Sequence, residues 1–79
     1  MKFQVEHTDT FGGESNYSWV HRYTIEGKGD KGITSDLSLV RQAKRLTGLT
    51  GYRCRVTKYG DMIEIRPSGL CQVVFITWG

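Results

Sequence analysis

The sequence has one proline, Pro67, and only two cysteines, Cys54 and Cys71, in 79 residues. Two thiols make at most one bridge, which excludes the disulfide framework that small secreted domains rely on. They read as small buried thiols. A single bridge stands as the alternative, and it needs oxidising surroundings and Cβ atoms about 4 Å apart. No apolar run approaches the roughly 20 residues that a membrane helix needs. The opening Met1-Lys2-Phe3-Gln4-Val5-Glu6 interrupts its apolar residues at once, so the expectation is a cytosolic protein with no signal peptide. Phosphate-cradling patterns are missing as well. Gly12-Gly13 and Gly27-Lys28-Gly29 lack the strand, spaced glycines and helix of nucleotide-binding loops, and they read as turns.

Chemistry-bearing spacings are equally scarce. His7, His21, Cys54 and Cys71 supply atoms for a nucleophile and base or for a metal, but no nucleophile elbow, C-x-x-C or H-x-x-x-H accompanies them. The expectation is a protein with no catalytic residues, no metal and no cofactor. At this length there is no room for a deep substrate cleft beside a separate scaffold, and a chain this small buries only about 60 % of its unfolded surface.

What is present describes one domain over residues 1–79. Ser35 to Gly48 is the only segment with a helical period. Leu39, Val40, Ala43 and Leu46 fall on one side of a helix, with Arg41, Gln42, Lys44 and Arg45 on the other. Ser35 is placed to cap the start, Asp36 suits the positive end of the helix dipole, and Gly48 suits a left-handed closing residue that lets Leu49 fold back toward Ala43.

Strands surround this helix. Lys2 to Thr8 and Tyr17 to Glu26 alternate and form a hairpin across a turn at Asp9 to Asn16. Gly27 to Gly32 is a polar connector. Tyr52 to Lys58 and Met62 to Arg66 flank a tight turn at Tyr59-Gly60-Asp61. Leu70 to Trp78 is apolar on both faces, which marks a strand inside a sheet. The order ββαβββ predicts an α+β fold, a mainly antiparallel five-stranded sheet with one helix packed on one face.

Charge is uneven. The net charge is +3 with a pI of about 9.1, yet residues 1–40 are net negative. Residues 41–79 carry seven cations against only Asp61 and Glu64. Arg41, Lys44, Arg45, Arg53 and Arg55 form the candidate binding patch, on the helix and on the strand that follows it. Such a patch attracts phosphate or an acidic protein surface, and arginine favours bidentate contact with either. A solvated basic surface is the plain reading of the same residues. The aromatic row Tyr17, Trp19 and Tyr23 reads either as core under the helix or as a stacking platform for single-stranded nucleic acid. Phe11 to Asn16 and Gly27 to Gly32 are alternative contact loops.

Two stretches carry a resemblance. Thr8-Asp9-Thr10-Phe11-Gly12-Gly13-Glu14-Ser15-Asn16-Tyr17-Ser18-Trp19-Val20 resembles the start of a family of small proteins from phages and mobile elements of proteobacteria. Gly60-Asp61-Met62-Ile63 with Arg66-Pro67-Ser68-Gly69-Leu70-Cys71-Gln72-Val73-Val74-Phe75 resembles its ending. Phage proteins of this size include many anti-CRISPR proteins. The resemblance implies a stoichiometric inhibitor in the cytoplasm of the bacterial host. It would bind a CRISPR effector, a multisubunit surveillance complex, and block target DNA binding or nuclease recruitment. No membrane and no small-molecule substrate are expected as partners. Many such inhibitors are acidic and imitate DNA, whereas this chain is basic. An acidic protein surface or a nucleic acid is therefore the expected counterpart, and a small basic nucleic-acid-binding phage protein is the alternative function.

Overall fold

The computed structural model describes residues 2–26 and 36–78. Six elements follow in order: β1 (Lys2–Phe11), β2 (Glu14–Glu26), α1 (Asp36–Leu46), β3 (Cys54–Tyr59), β4 (Met62–Pro67) and β5 (Gln72–Thr77). The strands form one five-stranded sheet in the order β2-β1-β5-β4-β3, and every pairing is antiparallel. This is the predicted ββαβββ α+β domain. The doubly apolar strand β5 lies at its centre, with Val73, Val74 and Ile76 fully buried.

Strand alternation divides the sheet into two faces. Phe3 and Val5 of β1, Ile25 of β2, Val74 and Ile76 of β5, and Ile63 and Ile65 of β4 form the inner face, and Leu39 and Ala43 of α1 complete the core. Their cross-strand partners lie in register, Val5 with Ile76 and Ile63 with Ile76, so one continuous apolar layer runs under the helix. At the core's rim the edge of Trp78 meets Phe3 with ring centroids 5.8 Å apart.

The helix ends as its sequence indicates. Gly48 has φ of 74°, the Leu49 amide donates to the Lys44 carbonyl at 2.8 Å, and the Gly48 amide donates to the Arg45 carbonyl at 3.4 Å. These two bonds make a Schellman motif. The motif turns Leu49 back into the core, where it is buried.

Leu46 departs from expectation: it is 41 % exposed. It stands in the last turn, and the returning Leu49 takes the buried place beside the helix end. The thiols depart too, since Cys71 is exposed and Cys54 only half-buried, and both are free. β3 begins at Cys54 rather than Tyr52, and Val56 is 47 % exposed, β3 being an edge strand. The first hairpin is longer than predicted. β1 continues to Phe11, and Gly12 and Gly13, with φ of 64° and 86°, make the two-residue turn in which both central residues need positive φ. Ser35 and the Gly27 to Gly32 connector lie outside the described residues. Among the described residues no helix is long and apolar enough to cross a membrane.

Candidate functional site

The outer face of the sheet, opposite the helix, carries alternating residues of all five strands. Glu6 and Arg22 pair across β1 and β2, with Arg22 Nε 3.2 Å from Glu6 Oε2. Glu64 and Arg66 pair along β4 at 3.0 Å. Phe75 of β5 lies directly between Glu6 and Glu64 in the register. Glu6, Arg22 and Phe75, with Gln4, Tyr17, Met62 and Thr77, line an open depression of about 450 Å³.

A bulge in the first hairpin shapes this face. The β1–β2 register slips between Thr8 and Thr10, so that Asn16 to Trp19 oppose Asp9. The extra residues are held by two side chains of β1. Thr8 Oγ1 donates to the Trp19 carbonyl at 2.9 Å and accepts from the Tyr17 amide at 3.1 Å. The Asp9 carboxylate accepts from the Ser18 hydroxyl at 2.6 Å, the Ser18 amide at 2.9 Å and Asn16 Nδ2 at 3.0 Å. Donation from the Ser18 hydroxyl, then from Asn16, holds the Asp9 carboxyl well below the usual aspartate value.

Bulges bend the strand that carries them and re-aim its side chains. Here the bend accompanies a clasp: Arg66 Nη1 donates to the carbonyl of Gly13 at 2.8 Å, tying the hairpin tip to β4. Tyr17 adopts φ of 57°, a strained value for a bulky side chain, and its ring lines the outer depression.

The aromatic row is therefore split. Tyr23 packs against the core. Trp19 is half-buried and stands edge-on to the ring of His7, at 4.8 Å between centroids. His7 is buried and bonded to Gln72 Oε1 at 2.9 Å. Tyr17 is 49 % exposed on the outer side. The three do not form a single stacking surface.

The five candidate cations divide by element. Arg41, Lys44 and Arg45 lie on α1, and Arg41 and Lys44 border a shallow depression with Leu37, Val40, Thr50 and Gly51. Lys44 Nζ donates to the Tyr52 carbonyl at 2.8 Å, which brings the helix cations to the start of β3. Arg53 is exposed at that corner. Arg55 pairs in register with Arg66, and its neighbour Cys54 packs on the core. Arg55 therefore projects from the outer face, while the helix cations lie on the inner side. Lys44, Arg53 and Arg55 stand at the β3 end, and the five cations do not lie on one face.

These five residues share a second property. Lys2, Arg22, Lys58 and Arg66 each have a carboxylate partner. Among the described residues, Arg41, Lys44, Arg45, Arg53 and Arg55 have none. Exposed Tyr52, Val56 and Tyr59 are interleaved with them.

Sequence reasoning missed the outer-face pairs and the Thr8–Asp9 brace. The signal available was two adjacent side chains with acceptor oxygens just before a Gly-Gly turn, followed by Asn16 and Ser18, which can donate to them. No family model, curated protein or solved structure matches the chain.

Proposed function

We propose that this protein is a non-enzymatic inhibitor that acts by covering a surface of its target, the mode implied by its resemblance to small phage proteins. The target on that reading is a bacterial CRISPR surveillance complex in the host cytoplasm, and the outcome is blocked DNA binding or blocked nuclease recruitment. One observation carries the reading. Of the described cations without a carboxylate partner, Lys44, Arg53 and Arg55 stand at one edge of the sheet, and exposed Tyr52, Val56 and Tyr59 alternate with them along the chain. Interface cores are enriched in arginine and aromatic residues and depleted in carboxylates, and free cations steer an acidic partner into contact.

The same cations suit a phosphate backbone, which is the alternative. Exposed Val56 between Arg55 and Lys58 favours protein, because an aliphatic side chain adds nothing to a phosphate contact. The test is phage plaquing on hosts with active CRISPR systems of several types, with and without the protein. Rescue of plaquing on one of them, lost on reversing Arg53 and Arg55 to glutamate, supports the proposal. Failure to rescue on any of them, together with salt-sensitive gel shifts of DNA, supports the alternative.

A further inference from the structure

The two edges of the sheet differ in kind. β2 is one edge; it pairs regularly from Val20 to Glu26, and the bulge at Asn16 to Trp19 interrupts it toward the hairpin end. A bulge is among the devices that spoil an edge for further pairing. β3 is the other edge. It is regular over all six residues, from Cys54–Pro67 to Tyr59–Met62, and among the described residues it pairs only with β4.

The outward hydrogen-bonding groups of β3 can be identified. The Ser68 amide donates to the Arg53 carbonyl at 2.8 Å, so Arg53 turns its backbone groups toward β4. In an antiparallel ladder the direction alternates. Arg55, Thr57 and Tyr59 therefore also face β4, and the backbone groups of Cys54, Val56 and Lys58 face outward. Pro67, which has no amide hydrogen, stands opposite Cys54, where β4 needs no donor. Just upstream, the outward carbonyl of Tyr52 is met by the Lys44 ammonium at 2.8 Å, which places a cation at the end of the open edge.

Charge selects the occupant. Arg53, Arg55 and Lys44 flank the edge without carboxylate partners. A second copy of β3 would bring like charges together, which is unfavourable across strands. An extended acidic segment would meet opposite charge at Arg53 and Arg55 on the outer face and at Lys44 near the start of the strand. Resting on the docking reading above, we infer that the β3 edge takes up an extended, acidic segment of a partner protein as a sixth strand. Main-chain bonds to Cys54, Val56 and Lys58 would supply affinity, and Arg53, Arg55 and Lys44 would supply selectivity.

The test uses the full chain and a synthetic ten-residue peptide alternating glutamate with valine, titrated by amide NMR at low salt. The expected result is shifts at Cys54, Val56 and Lys58 and new protection of their amides from exchange. Methylating alternate peptide nitrogens on the pairing side should weaken binding at least tenfold. Val56→Pro should do the same, because it removes an outward amide while the bonds to β4 and all charges remain. The methylated peptide needs no variant protein, so the test survives if Val56→Pro fails to fold.

No shift at millimolar peptide, or equal binding of the methylated peptide, overturns strand addition. So does concentration-dependent self-association through β3. If Val56→Pro still rescues plaquing while Arg53→Glu with Arg55→Glu does not, strand addition is wrong and the docking reading stands. If neither changes plaquing, both fail.

Discussion

Thr8 is the residue whose replacement tests the bulge most directly. Its side chain is fully buried. Its hydroxyl donates to the Trp19 carbonyl and accepts from the Tyr17 amide. Thr8→Val keeps the volume and adds strand propensity, so packing arguments alone expect it to be neutral or stabilising. The hydrogen-bond argument gives the opposite sign. An orphaned backbone group costs about 1–3 kcal/mol when buried. The Trp19 carbonyl is at a half-buried residue, and the Tyr17 amide is at a position open enough for water to replace part of the loss. Together they make the cost about 2–3 kcal/mol.

A domain of this size has a total stability of about 4–12 kcal/mol, and 1 kcal/mol moves its melting temperature by about 4–8 °C. Thr8→Val should therefore lower it by about 10–20 °C. Thr8→Ser keeps the hydroxyl and loses one methyl group, about 1 kcal/mol, and should lower it by roughly 5 °C. Thermal melts followed by circular dichroism, with Trp19 fluorescence as a local probe, rank the two. If the valine variant is as stable as the serine variant, the hydroxyl is not what holds the bulge.

Four further outcomes are expected. Leu39→Ala should cost about 3 kcal/mol in urea unfolding, because Leu39 is fully buried and its removal leaves a cavity between helix and sheet. Gly48→Ala should cost about 1 kcal/mol by the same measurement, since its φ of 74° strains any residue with a Cβ. Asp9 has a carboxyl held below its ordinary 3.8, so its contribution is fully present above that value and lost as pH falls below it; Asp9→Asn should flatten the acid limb of the stability–pH curve. Reversing Arg53 and Arg55 to glutamate should change stability by under about 0.5 kcal/mol each, because both side chains are exposed. A melt showing a larger loss would mean that these arginines are structural.

The elements with a strong local period were legible. Leu39 and Ala43, Gly48 with Leu49, and the doubly apolar β5 all occupy the places their sequence indicates, because burial on one side or both imposes a spacing that composition reveals. Position within the sheet was less legible. Val56 is an aliphatic strand residue that stands 47 % exposed, because β3 has a neighbour on one side only, a fact set by topology. Leu46 reads as core, and a loop residue three positions later takes that place. Tyr17 falls in phase with Trp19 and Tyr23, but strict alternation holds only where pairing is regular, and the bulge removes that condition. The cations were legible as residues, while their division between two sides of the sheet depends on strand register.

The sheet is two hairpins joined by one strand. β1 with β2 and β3 with β4 each pair locally, and only β5 pairs with both. An isolated two-stranded hairpin is marginal in water, so neither half has an independent route to stability before β5 arrives between them. Forming that strand closes long chain loops to Val5 and His7, a cost that slows folding. Synthesis should therefore leave both halves open to chaperones and proteases until residues 72–77 have emerged, and then commit the whole domain at once.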